Sequence, residues 1–141
     1  MYNEGGVAYV YLCYGIHHMF NIVTNKKDVP DAVLIRGVEP LSGIDFMLHR
    51  MNKTKHDGSI GRGPGNTGKA MGICTHHSGH SLLSSDFFIA DDGFIVPKMM
   101  VSKRIGIDYA GAHVKWLYRF FISQHPQVTQ HPLNKTAIEL L

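Results

Sequence analysis

Three runs of strand-like residues fall within the first 36 positions, and they constrain the fold more than any other feature. Val7 to Cys13 alternates and is rich in Val and Tyr, Ile16 to Thr24 reads the same way, and Ala32 to Arg36 is almost wholly apolar until its arginine. Branched and aromatic side chains at a period of two suit a pleated, half-buried surface rather than a helix. Turn signals separate the runs: Tyr14-Gly15, then Asn25-Lys26-Lys27-Asp28. Consecutive strands joined by short turns predict an antiparallel sheet, which must then cover one face with something else.

The rest of the chain supplies that cover. Leu41, Ile44, Met47, Leu48 and Met51 recur at helical spacing after Pro40, a residue suited to a first helical turn, and predict a helix over 40–51. The glycine-rich, cationic stretch 52–65 predicts an exposed loop, followed by a short helix over 66–72. Phe87 to Val96, interrupted by Asp91-Asp92-Gly93, predicts a hairpin, and a strand pair is expected at 102–107 and 117–123. Residues 125–141 hold two prolines and no period, so a loosely held tail is expected there. With 141 residues there is room for one domain. The expected class is α+β: a single compact domain, residues 1–141, with a mostly antiparallel, curved sheet and a few helices.

The longest apolar stretches, 7–16 and 87–96, are far shorter than the ~20 residues of a membrane span, and the start of the chain has no basic segment leading into an apolar one. An intracellular, cytoplasmic protein is expected, with Cys13 and Cys74 reduced. The formal charge of +3 permits a polyanionic partner without requiring one.

Several constellations could carry chemistry. His76-His77-x-x-His80 invites a metal, but it is not the H-E-x-x-H spacing and no adjacent carboxylate or cysteine pair completes it, so solvated loop histidines are expected and no metal site. In GRGPGNTGKAMG, glycines at 61, 63, 65 and 68 would let backbone amides approach a ligand, and a helix follows. With Arg62 and Lys69 alongside, the reading is an anion site suited to one backbone phosphate; the alternative is a helix entry with no ligand. Arg36 is either paired with Glu39 or presented at a site, and Asn21 is either a core amide or a group aimed into a pocket. Tyr9, Tyr11, Tyr14 and the His17-His18 pair could stack on bases or close a core.

YVYLCYGIHHMFNIV, DAVLIRGVEP, GPGNTGKAMGI and RIGIDYAG with LYRFF after it, in that order, resemble the alkyladenine type of 3-methyladenine DNA glycosylase over most of Tyr9 to Ile122. The resemblance implies a protein that binds duplex DNA, flips a damaged purine into a pocket and hydrolyses its bond to deoxyribose, as a monomer at the nucleoid and without a cofactor. It assigns Tyr14 to intercalation from a hairpin, Tyr11 to stacking on the flipped base and Asn21 to the pocket floor. Arg36 and the backbone carbonyl of Ile105 would hold the attacking water, and Arg62, Gly63, Gly65 and Lys69 would meet DNA phosphates.

Two departures accompany the resemblance. The family's general-base glutamate lies in a Thr-Glu-Ala-Tyr motif upstream of the first matched segment, and neither that motif nor the Ala-His-Ser segment after it occurs in residues 1–141. Glu4 falls in a linker where the family has no catalytic group. The chain is thus expected to lack the family's N-terminal portion and to excise little or nothing by itself, the alternative function being a catalytically dead DNA-binding remnant. In addition, Asn66 stands where the family usually has a lysine.

Overall fold

A computed structural model of the chain describes residues 1–140, in two compact units, residues 1–91 and residues 92 onward. Period-two alternation builds the first unit's sheet from β1 (Ala8–Cys13), β2 (His17–Val23) and β3 (Ala32–Leu34), antiparallel and in the order β1-β2-β3. Its register pairs Tyr9 with Asn21, Val10 with Phe20 and Tyr11 with Met19, and on the other side Asn21 with Leu34.

Because side chains alternate across a sheet, this register sorts the residues by face. Ala8, Val10, Phe20 and Ile22 share one face, and they pack with Ile73 and Leu82 into the core of the unit. Tyr9, Tyr11, Met19, Asn21 and Leu34 share the opposite face. The second face is covered as well, since Met19 and Val23 on it are buried beside Asn21.

Two helices complete this unit: α1 (Ile44–Met51) and α2 (Pro64–Met71). The helix expected from Pro40 begins instead at Ile44, because Gly43 at φ 68° cannot continue a right-handed helix and caps it, its carbonyl accepting from Met47 N–H at 3.1 Å. Leu41, counted in the helical period, is left largely exposed. α2 starts two residues ahead of expectation, with Pro64 in its first turn, where a missing N–H costs nothing. Arg50 on α1 donates from Nη1 to the Ala70 carbonyl at 3.0 Å, placing a cation at the negative end of α2.

The second unit is built on β4 (Met99–Ser102), β5 (Arg119–Ile122) and β6 (Ile138–Glu139), antiparallel in the order β5-β4-β6. The expected strand over 102–107 ends at its first residue, and the chain bends through Ile105 and Gly106 at φ 69° into a 3-10 turn at Asp108. Arg119 is 4% exposed, and its charge is accommodated by a 3.0 Å bond from Nη1 to Ser102 Oγ and by the Phe121 ring, 4.4 Å away. Beyond His125, β6 pairs with β4 and Lys98 bridges to Glu139 at 2.6 Å.

The hairpin expected over 87–96 does not form. Asp92 Oδ1 accepts from Phe94 N–H at 2.9 Å, a local turn with no ladder beside it, and Ile95 is 86% exposed. A turn signal sets a reversal only when the flanking runs have a face to bury, and these do not. The α+β class holds, in the form of two three-stranded antiparallel sheets with short helices. Among the described residues, no helix is long and apolar enough to cross a membrane.

Candidate functional site

The second face of the β1-β2-β3 sheet collects the polar and aromatic side chains that the sequence singled out. Asn21 is only 7% exposed, and its Nδ2 donates to the Tyr9 and Met19 carbonyls, both at 3.1 Å. An amide so held has one orientation, because both donors are committed to backbone. The Tyr9 and Tyr11 rings lie beside it, with centroids 5.7 Å apart and planes tilted by 38°. Replacing Asn21 by Asp should destabilise the fold by ~3 kcal/mol, more than replacing it by Ala, because the near-isosteric carboxylate aims lone pairs at two carbonyls instead of donors. Chemical denaturation of both variants measures the difference.

Arg36 lies two residues past β3, but pairing continues there, with Ile35 N–H donating to the Phe20 carbonyl at 3.0 Å. Burial pushes the Arg36 guanidinium below its usual range, and the Tyr11 hydroxyl acts in the opposite direction. A guanidinium remains charged under any ordinary condition, so this is a half-buried cation in the electrostatic neighbourhood of Tyr11. Tyr11, Asn21 and Arg36, far apart in role when read one by one, thus occupy one region.

The glycine-rich loop adjoins it. Gly37 and Arg62 form an isolated antiparallel bridge, and Val38 N–H donates to the Gly61 carbonyl at 2.9 Å. The loop is braced from within: Thr67 Oγ1 donates to the Gly61 carbonyl at 3.1 Å and Asn66 Nδ2 to the Arg62 carbonyl at 3.1 Å. Three of its glycines have a structural reason that spacing did not reveal. A Cβ on Gly61 would lie 2.3 Å from the Val38 carbonyl oxygen, one on Gly68 would lie 2.3 Å from that of His18, and one on Gly65 would lie 2.7 Å from the His17 ring. These residues admit the chain's own backbone and ring, whatever else they serve. Gly63 caps α2 at φ 86°, and Lys69 projects exposed from the helix. Asn66, at the position where a lysine was expected, serves as an internal brace.

Tyr14 is 91% exposed at the end of the β1-β2 hairpin and has a φ of 51°. Gly15 follows at φ 72°, and Ile16 N–H donates to the Cys13 carbonyl at 3.2 Å, a tight primed turn in which the left-handed first position is unfavourable for a bulky ring. Neither burial nor backbone preference accounts for a tyrosine here, and such strain concentrates at functional sites.

Ile105 lies half-buried in the bend of the second unit. Glu4 accepts from Lys27 N–H at 3.2 Å through Oε2, an exposed turn contact of the first unit. Arg50, which caps α2, and Met19, buried opposite Tyr11, escaped the sequence reading. Only their spatial neighbours mark them.

A sequence model of the methylpurine-DNA glycosylase family matches residues 1–126. The chain belongs to that family. This methylpurine-DNA glycosylase family member is 42% identical to a DNA-3-methyladenine glycosylase of Arabidopsis thaliana over 131 residues, which cover 92% of this chain and 52% of the relative. It is also 42% identical over 137 residues to a protein of Clostridium novyi (strain NT) that is named provisionally as a 3-methyladenine DNA glycosylase, covering 92% of this chain and 68% of that one. It thus spans about half the length of the Arabidopsis relative and about two thirds of the Clostridium one.

Proposed function

We propose that this family member acts in base-excision repair, on alkylated purines such as 3-methyladenine in duplex DNA, and that the second face of the β1-β2-β3 sheet receives the flipped base. The observation that carries this reading is the gathering of Tyr11, Asn21 and Arg36 on one side of a sheet whose adjoining hairpin ends in an exposed, strained Tyr14. Tyr14 would fill the gap left in the stack, at a cost of a few kcal/mol for extracting the base that is lowest for a damaged one. Tyr11 would stack on the base, and the immobilised Asn21 would discriminate by shape at the pocket floor. Arg62, Gly63, Gly65 and Lys69 would meet the phosphate backbone.

Alkylation at N3 or N7 makes the purine a cationic leaving group, and the sugar develops oxocarbenium character as the glycosidic bond breaks. Arg36 would help to hold the attacking water. A carboxylate must take its proton, and the Thr-Glu-Ala-Tyr motif to which the resemblance assigns that task is not in residues 1–141. The experiment is to incubate the chain with duplexes containing 3-methyladenine, hypoxanthine or no lesion, and to measure both binding and alkali-labile abasic sites. Lesion-selective binding that weakens as salt rises, with slow release of the base, is expected. Equal affinity for damaged and undamaged duplex would refute the reading, and rapid release would place a working carboxylate within these 141 residues.

A further inference from the structure

Cys74, His76 and His77 bring three metal-binding atoms together, one from each side chain, all within 4.8 Å of one another. We propose that this cluster binds a zinc ion. The three residues bracket a 3-10 turn, Thr75–His77, that leaves α2 and runs beside β1, away from the face that carries Tyr11 and Asn21.

The distances fit the ion. Zn–S at ~2.3 Å and Zn–N at ~2.0–2.1 Å, set at the tetrahedral angle, put sulfur and nitrogen ligands about 3.6 Å apart. Cys74 Sγ lies 3.1 Å from His76 Nδ1, 3.8 Å from His76 Nε2 and 3.5 Å from His77 Nδ1. These separations bracket the tetrahedral edge. The backbone already orients one ligand: Cys74 N–H donates to His77 Nδ1 at 3.1 Å, a bond that zinc at Nδ1 would replace while the ring proton stays on Nε2.

Softness of the donors selects the metal. One thiolate and two imidazoles suit zinc, whereas calcium and magnesium require oxygen ligands. His80 and Asp86 border the same cavity of about 400 Å³ as His76 and His77, so a side chain or a water can take the fourth position. The His80 ring lies 5.7 Å from that of His77 and 6.5 Å from that of His76.

The turn is also tied to β1: Ala8 N–H donates to the His80 carbonyl at 2.8 Å, Gly79 N–H to the Ala8 carbonyl at 2.8 Å, and Val10 N–H to Ser78 Oγ at 3.2 Å. An ion at Cys74 and the two histidines would therefore brace the outer edge of β1, the strand that carries Tyr9 and Tyr11. The site stands independently of whether the chain excises bases.

The test uses the full chain without an affinity tag. Titration with zinc should show one ion bound per chain, and cobalt(II) should give tetrahedral d–d bands together with a thiolate-to-metal charge-transfer band. Cys74→Ser should abolish the charge-transfer band. His76→Ala, at an exposed side chain that the fold does not need, should weaken binding at least as much as losing an outer partner does, about 10–100-fold. Cys13→Ser should leave both signals intact. No binding, binding unchanged in both Cys74→Ser and His76→Ala, or a cobalt spectrum without a thiolate band would overturn the assignment.

Discussion

Gly68→Ala is expected to destabilise the protein by ~2 kcal/mol, even though it replaces the poorest common helix former by the best. In an isolated helix the change would stabilise by ~1 kcal/mol. Here the new methyl would stand 2.3 Å from the carbonyl oxygen of His18, over an ångström inside ordinary contact, and the obstacle is backbone, which cannot rotate away. α2 must lift off β2 to relieve the overlap, and overpacking of this kind costs 1–3 kcal/mol or more, so the clash outweighs the propensity. Lys69→Ala, one residue further along and exposed, serves as the control and should be close to neutral. In thermal unfolding the Gly68 variant should lose roughly 6 °C at this chain length. An unchanged or raised midpoint would mean that the helix does not sit against His18 as described.

Replacing Tyr14 by Asn is expected to move stability and DNA binding in opposite directions. Asn tolerates a φ near 51° far better than Tyr does, and a left-handed conformation costs a bulky residue ~1 kcal/mol, so the variant should be more stable by 0.5–1 kcal/mol or so. The ring buries almost nothing in the protein, so its removal forfeits little packing. On damaged duplex the loss of a stacking surface should cost about 1–3 kcal/mol, on the order of tenfold to a hundredfold in affinity. Denaturation and fluorescence anisotropy on the same preparation measure the two effects. A variant that loses stability, or that binds damaged duplex as tightly as the native chain, would remove the reason for placing a tyrosine there.

What the sequence could and could not reveal follows from the range of the interactions involved. β1, β2 and the turn at Tyr14 were legible because alternation and turn chemistry act between neighbours, and the same reading gave β3 to within two residues. The purpose of the glycines at 61, 65 and 68 was not, since Val38, His17 and His18 approach them only through the fold. Gly43 ended the helical period at Ile44 by its backbone conformation, which an apolar count ignores. The Asp91-Asp92-Gly93 signal marked a turn and overstated it as a hairpin, because pairing depends on a face to bury. Cys74 read as an isolated cysteine and the histidines beside it as solvated loop residues without a metal; a 3-10 turn, invisible to periodicity, folds its thiol onto both rings. Tyr11, Asn21 and Arg36 each had two readings in sequence, and only the register brought them to one face.

The most direct measurement of the central claim, that this face takes up a damaged purine while Tyr14 enters the stack, uses 2-aminopurine placed beside the lesion. Its emission rises when a neighbour leaves the helix. The native chain should raise that emission on a hypoxanthine duplex and leave an undamaged duplex unchanged, and the Tyr14→Asn variant should lose most of the rise. Equal emission on damaged and undamaged duplexes, or a rise that the variant retains in full, would contradict the account.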